Sequence, residues 1–258
     1  MTVTDVNVVK SAIFERPDDA NKGTLGSLLC VCGSYGMAGA AVMSAKGALR
    51  TGIGLAKCAL PRSIYPIVAQ TILESVYYPL SENADGRISK VNVPFLVSES
   101  CKSSATLVGC GLGGCDDTLK IVFSLIENST TPLVLDADAL NCVAKQPEIL
   151  LRKKTSIIIT PHPGEMSRLT GLATPLVNAE RQRVALAFAQ KYGVVTVLKG
   201  AGTVIASPNG KVLENPTGNS GMATGGSGDV LAGMTVSILA QGASAFSSAA
   251  AAVYLHGL

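Results

Sequence analysis

Short, continuously apolar runs alternating with helical stretches constrain this chain more than any other feature. Runs at residues 28–31, 55–59, 105–108, 133–135, 157–160 and 194–198 carry no polar alternation. A strand that is apolar on both faces must be covered on both faces, and helical patterns at 39–51, 62–70, 118–127 and 180–192 fall between the runs to supply the cover. That alternation implies an α/β fold with a mostly parallel sheet between two helical layers. Two further runs, 203–206 and 211–214, flank Ser207-Pro208-Asn209-Gly210, which reads as a hairpin turn. Two more helices are expected at 230–240 and 244–255. No linker or shift in composition interrupts the pattern, so residues 1–258 are expected to form a single domain.

Composition excludes several classes. Hydrophobic residues make up 47% of the 258 and charged residues 15%, which is incompatible with a disordered chain. The net charge of +3, with no basic run longer than Arg152-Lys153-Lys154, gives no footing for nucleic acid. Asp5, Lys10, Glu15 and Arg16 precede any apolar run, unlike a secretory signal. The apolar tail from Ser237 is Ala-rich and broken by Gln241, Ser244, Ser247 and Ser248, so it reads as a buried helix and no membrane partner is expected. Seven Cys without a C-x-x-C pair, beside only two His, argue against zinc and against a disulfide framework. Reduced thiols used as small core residues suggest a cytoplasmic protein.

The chemistry-bearing residues cluster after strands, the edge at which open parallel sheets bind ligands. Gly225-Gly226-Ser227-Gly228-Asp229 precedes a helix. Backbone N–H groups there face an anion, the helix dipole adds positive potential, and Asp229 stands beside it as a base for a hydroxyl attacking a phosphoryl group. The alternative is that Asp229 only caps its helix. Lys199-Gly200-Ala201-Gly202-Thr203 follows another strand, where glycines admit a nucleotide and Lys199 offers a point charge. His162 is fixed in an extended, exposed setting by Pro161 and Pro163, and Glu165 follows as a candidate for holding a metal-bound water. Asp136, Asp138 and Asn141 lie at one strand end, with Asp138 or Asn141 also a candidate helix cap. Tyr35 is a candidate for stacking on a ring.

Gly109-Cys110-Gly111-Leu112-Gly113-Gly114 matches G-x-G-x-x-G between a strand and a helix, and Asp136 follows about 20 residues on. An oxidoreductase of the dinucleotide-binding type is therefore a rival on this stretch, as is a non-catalytic dinucleotide-binding module. Neither a G-x-x-x-x-G-K-[ST] nor a G-x-S-x-G motif occurs.

Taken together the motifs resemble a known family. Gly225–Asp229 looks like the G-x-G-D signature of the ribokinase-like superfamily. The ordered blocks Lys22-Gly23-Thr24-Leu25-Gly26, Gly33-Ser34, Arg50-Thr51-Gly52-Ile53-Gly54, 109–113, 135–141, 160–165, 199–203 and 219–233 are similar to the ADP- or ATP-dependent (S)-NAD(P)H-hydrate dehydratases within it. Cys110 departs from the proline usual there, and the chain ends at Leu258 where members usually continue for another helix. The resemblance implies a three-layer α/β/α sandwich and repair of NADH or NADPH hydrated at C6 of the nicotinamide. A nucleotide phosphorylates the C6 hydroxyl, and phosphate then leaves. It implies Asp229 as catalytic base. Gly39, Ala40, Gly111, Gly113 and His162 would join Asp229 around the hydrate. Lys199, Gly200, Ala201, Gly202, Thr203, Gly226, Ser227 and Gly228 would hold ADP or ATP, and Glu165 would organise Mg²⁺ through water. It further implies a homo-oligomer, a tetramer in the family. A ribokinase-like small-molecule kinase, keeping the phosphate on its product, is the alternative.

Overall fold

The computed structural model describes residues 3–13 and 15–258. Nine strands form one sheet: β1 Ser27–Val31, β2 Leu55–Pro61, β3 Val76–Leu80, β4 Ala105–Val108, β5 Leu133–Leu135, β6 Ile157–Ile159, β7 Val195–Leu198, β8 Val204–Ala206 and β9 Val212–Glu214. Their order is β3-β2-β1-β4-β5-β6-β7-β8-β9, parallel as far as β7, with β8 and β9 antiparallel. The antiparallel pair is the hairpin expected around Asn209-Gly210, closed by Ser207 N–H donating to the Lys211 carbonyl at 2.9 Å.

The helices divide between the two faces. Helices α1 Val6–Ala12, α2 Ala38–Arg50 and α3 Tyr65–Thr71 lie on one. The opposite face carries α4 Val93–Cys101, α5 Asp116–Asn128, α6 Asp138–Lys145, α7 Pro163–Thr170, α8 Thr174–Ala179 and α9 Arg181–Tyr192. The chain then returns to the first face with α10 Ser227–Ala240 and α11 Ala245–Gly257. Alternate residues of β1 serve the two cores: Leu28 and Cys30 pack with α2 and α10, Leu29 and Val31 with α4 and α5. That double duty explains the unbroken apolar runs. The fold is thus the three-layer sandwich with a mostly parallel sheet.

The elements that escaped sequence reading have local causes. β3 is an edge strand containing Pro79, and proline argues against a strand unless it lies at an edge. Helix α4 carries Pro94 in its first turn and α7 begins at Pro163, so each proline reads as a break while acting as a start. Helix α10 begins at Ser227 rather than 230, because Gly226, in the left-handed region at φ 91°, is the N-cap.

Helices α2 and α10 cross at close range. A Cβ at Gly47 would meet the Val230 carbonyl at 2.7 Å, and one at Gly233 would collide with the Ser44 carbonyl. The small residues of Ala38–Arg50 allow this approach, and it anchors the first turn of α10 against a buried partner. No helix among the described residues is long and apolar enough to cross a membrane.

Candidate active site

All five sequence clusters reach the carboxyl edge of the sheet. Asp229 occupies the first turn of α10 but does not cap it: the N-cap is Gly226, which offers no side chain. The carboxylate instead faces Cys110 and Asp136, and ligand atoms of the three lie within 4.8 Å of one another. Burial pushes the Asp229 carboxyl up to about 6 and Asp136 adds to the rise, while the Cys110 thiol and Lys199 pull the other way. A carboxyl poised there is charged at neutral pH yet basic enough to take a proton.

Asp136 is the anchor of the site. It is 2% exposed and accepts from Lys199 Nζ at 2.7 Å, Thr160 Oγ1 at 2.7 Å and Cys110 Sγ at 3.6 Å. Ala137 beside it has φ 49° and ψ −114°, the only non-glycine at positive φ among the described residues. Such a conformation costs about 1–3 kcal/mol and aims Asp136 and Asp138 to different places. Asp138 does not cap α6; its Oδ2 accepts from Gly113 N at 2.8 Å and its Oδ1 from Asn141 Nδ2 at 3.4 Å.

Lys199 has partners that its sequence does not announce. Its ammonium is bound to Asp136 and lies 3.9 Å from Glu165, with the side chain 18% exposed, so much of its charge is already neutralised. Burial acts to lower its pKa, but the two carboxylates outweigh burial and raise it. It stays protonated and has N–H donors to spare for a phosphate.

His162 is extended and exposed, as its prolines require, and it also begins α7. Its Nδ1 accepts from Gly164 N at 3.0 Å and Glu165 N at 3.3 Å, while Glu165 Oε2 accepts from His162 N at 2.8 Å. Burial, Lys199 and Arg168 lower its pKa, so the ring is neutral at pH 7 with its proton on Nε2, 3.6 Å from Glu165 Oε1. Burial pushes Glu165 itself up to about 7, against the pull of Lys199. Glu165 is a capping residue that does not join the group of Cys110, Asp136 and Asp229.

A cavity of about 670 Å³ opens beside this cluster. Lys199, Gly200, Ala201, Gly202 and Thr203 form one wall, Ser227 and Gly228 another. The structure therefore brings together two loops far apart in sequence; Gly226 lies just outside the lining. Arg181 Nη2 donates to the Leu198 carbonyl at 2.7 Å and holds the 199–203 loop from behind. Asn219 and Ser220, the start of the 219–233 block, belong to the remaining wall; sequence reading missed its other members, residues 215–218 with Val253 and His256 of α11. Asn215 fastens it, donating from Nδ2 to Thr217 Oγ1 at 2.8 Å and accepting from Thr4 Oγ1 at 2.7 Å.

The remaining candidates lie on the other side of Asp229. Gly111 packs against Ala40, whose Cβ would be 2.7 Å from one added at Gly111, and the Gly111 carbonyl accepts from Ser34 Oγ at 2.8 Å. Gly39 sits in the first turn of α2. Gly113 follows on the same loop. None of Gly39, Ala40, Gly111, Gly113 and His162 lines the cavity; Gly39 and His162 are exposed and Gly113 is half-buried, whereas Ala40 and Gly111 are buried beneath them.

A dinucleotide-binding oxidoreductase loses its footing here. In that fold the glycine fingerprint follows the first strand and its acidic partner faces the ribose. Here the glycines follow β4, and Asp136 is buried against Lys199.

The sheet, its two helical layers and the glycine-flanked Asp229 at the carboxyl edge define a ribokinase-like protein. Solved structures agree: a Bacillus subtilis ADP/ATP-dependent NAD(P)H-hydrate dehydratase, co-crystallised with ATP/Mg²⁺, superposes with TM-score 0.82 at 32% identity, covering 98% of this chain and 85% of that one. A Pyrococcus horikoshii hydroxyethylthiazole kinase at 14% identity and TM-score 0.62 shares the fold. The sequence profile of the NAD(P)H-hydrate dehydratase family matches residues 28–258, and the chain belongs to that family. An ADP-dependent (S)-NAD(P)H-hydrate dehydratase of Neisseria meningitidis is 36% identical over 94% of this chain and 78% of its own length. A bifunctional NAD(P)H-hydrate repair enzyme of Moorella thermoacetica is 38% identical over 96% of this chain but 47% of its own length. The chain thus spans about half of such bifunctional relatives.

Proposed function

We propose that this chain dehydrates the S epimer of hydrated NADH or NADPH at the expense of ADP or ATP, returning the reduced dinucleotide. The observation that carries the reading is Asp229, a carboxyl raised to about 6 that follows Ser227 and Gly228 of the cavity wall and faces Cys110 of the 109–114 glycine loop.

The cavity takes the nucleotide. Lys199 N already donates to the Pro161 carbonyl and Gly200 N to Thr203 Oγ1, so the phosphates are met by backbone N–H groups of Gly228 and of residues 201–203, with the dipole of α10 behind them. The hydrate lies on Gly39, Ala40, Gly111, Gly113 and His162 with its C6 hydroxyl at Asp229. Asp229 accepts the hydroxyl proton, and the oxygen attacks the terminal phosphoryl of the donor, releasing AMP or ADP. The amides at Gly226, Ser227 and Gly228 stabilise charge on the transferring oxygens. The phosphate ester is a far better leaving group than hydroxide. The ring nitrogen's lone pair expels phosphate from C6, and loss of a proton from C5 restores the dihydropyridine.

One carboxyl oxygen, Glu165 Oε1, is free of the helix cap and is of the kind a hard cation takes. Glu165 is a desolvated carboxyl raised to about 7, and a divalent ion arriving with the nucleotide would favour its charged form. Glu165 would hold Mg²⁺ through water; the ion's contribution is to neutralise phosphate charge.

Residues 1–258 act as one domain in this reading, in a cytoplasmic homo-oligomer, a tetramer by family resemblance. All seven thiols are free, as a reducing compartment requires. The test is incubation with hydrated NADH, Mg²⁺ and either ADP or ATP. Return of the dihydronicotinamide absorbance with stoichiometric inorganic phosphate supports the reading. A stable phosphorylated product without that absorbance makes the protein a kinase instead.

A further inference from the structure

The sheet reverses its winding between β1 and β4. From β1 the chain proceeds outward to β2 and β3, and from β4 it proceeds the other way. Ligands of open parallel sheets sit in the crevice at such a switch point. The two loops that border it here are residues 32–37 after β1 and residues 109–115 after β4.

One cation leans over this crevice and has no part in the mechanism above. Arg87 Nη1 donates to the Gly114 carbonyl at 3.0 Å. Its guanidinium lies so close over Gly113 that a Cβ added there would come within 2.6 Å of Nε, and Gly113 is at φ 73°. The arginine is placed by a braced turn. Asn83 N donates to the Arg87 carbonyl at 2.9 Å, and Arg87 N and Asp85 N donate to Asn83 Oδ1 at 3.1 and 3.0 Å. Asn83 Nδ2 in turn reaches Asp117 Oδ2 at 3.2 Å. The turn is tied to the other side of the crevice by Tyr35 N donating to the Gly86 carbonyl at 2.9 Å.

The charges nearby leave Arg87 available. Asp85 is 3.6 Å away and two-thirds exposed, a pairing of little strength. Asp117 is engaged by Asn83 and lies 3.9 Å from Lys90; Asp138 is engaged by Gly113 N. Among the described residues Arg87 also reaches the Cys115 thiol, whose pKa its hydrogen bond helps to lower, but no carboxylate takes up Nε or Nη2, which leaves charge and N–H donors at the crevice. Lys199, the cation nearest the reacting group, is by contrast paired with Asp136 and lines the nucleotide cavity.

We propose that Arg87 is a substrate-binding residue that receives a phosphate group of the dinucleotide hydrate. The inference rests on the reading above. With the hydrated ring at Asp229 and His162, the rest of the molecule must run along the carboxyl edge from β5 toward β4 and β1, a span of about 5–10 Å at one to two strand spacings. Guanidinium pairs with phosphate oxygens in a two-pronged geometry that an ammonium cannot reproduce. The phosphate is either the diphosphate common to both hydrates or the 2′-phosphate of the NADPH form.

The test compares wild type with Arg87→Met and Arg87→Lys, measuring KM and kcat for hydrated NADH and hydrated NADPH at saturating ADP. The expected result for Arg87→Met is a KM about 10-fold or more above wild type, with kcat within about twofold and ADP affinity unchanged. Arg87→Lys should recover part of the loss. An equal rise for both hydrates identifies the diphosphate, and a rise for the NADPH form alone identifies the 2′-phosphate. Unchanged KM for both hydrates in both variants overturns the proposal, as does a KM rise that Lys does not relieve and that comes with a lowered Tm. Calorimetric binding of NADH and NADPH to wild type and Arg87→Met reads the arginine without turnover. A wild type that regenerates nothing from either hydrate therefore sinks the dehydratase reading while leaving this test intact.

Discussion

The two sides of Asp229 are built differently. Toward β7 and β8 the site is a partly open cavity, walled by two glycine-rich loops and by side chains of α10 and α11, with Arg181 bracing one loop and Asn215 another. Toward β4 and β1 it is an open surface, where Tyr35 is 74% and Met37 50% exposed. Backbone amides grip what every nucleoside phosphate shares, so the first side suits a donor whose identity matters little. Projecting side chains read what distinguishes one molecule from another, so the second side suits the hydrate of the proposed reaction. Asp229 stands between them, and substitutions should separate cleanly into those that affect one side, the other, or the transfer itself.

The largest effect is expected at the junction. Asp229→Asn should lower turnover by about 10²–10⁴-fold, the contribution of a positioned base, while ADP affinity stays within about tenfold because the gripping groups are amides. Near-normal regeneration of NADH by this variant would remove the base assignment. The same change replaces a desolvated charge. Since the folded pKa, about 6, lies above the unfolded value of 3.8, the ionised carboxyl destabilises the fold as pH rises through that window. At pH 7 the Asn variant should therefore melt higher, by about 2–4 °C for each ~1 kcal/mol relieved.

Next in size is the pair that holds both sides together. Lys199→Met leaves Asp136 buried without its cation, and breaking such a pair costs about 3–5 kcal/mol. Urea denaturation should record that loss, and a midpoint equal to wild type would mean that Asp136 does not need Lys199.

A smaller effect concerns pH. The rate should rise with pH through about 6 as Asp229 loses its proton, falling about tenfold per unit on the acid side. The Cys110 thiol lowers that pKa, so Cys110→Ala should move the acid limb to higher pH. A limb that stays in place while kcat drops would reduce Cys110 to a packing role.

The smallest change belongs to the open side. Tyr35→Ala should raise KM for the hydrate by a few fold, as loss of one stacked aromatic does, and leave ADP affinity untouched. If ADP affinity fell as well, the two sides would not be separate.

The layered fold was legible because the apolar runs at 28–31, 105–108 and 157–160 admit only a sheet covered on both faces. Proline hid what the reading lost. Pro79, Pro94 and Pro163 look like interruptions, yet they sit in an edge strand and in two helix starts, positions where the missing N–H costs nothing. The site was legible residue by residue for the same kind of reason: glycines after strands and an acid at a helix start carry local signals of their own.

The sequence by itself determined the strand–helix alternation, the hairpin at Asn209-Gly210, the glycine loops and the presence of Asp229 in the first turn of a helix. All of these follow from propensities and backbone requirements that act over a few residues. Tertiary structure alone decided what those residues do together. It left the Asp229 carboxylate free of the helix cap by making Gly226 the N-cap, paired Lys199 with Asp136, completed the cavity wall with residues 215–220 and α11, and swung Arg87 over Gly113. Each of these depends on groups distant in the chain meeting at the carboxyl edge of the sheet. Pairing across such separations is set by burial and charge in the folded core, about which a local pattern carries no information.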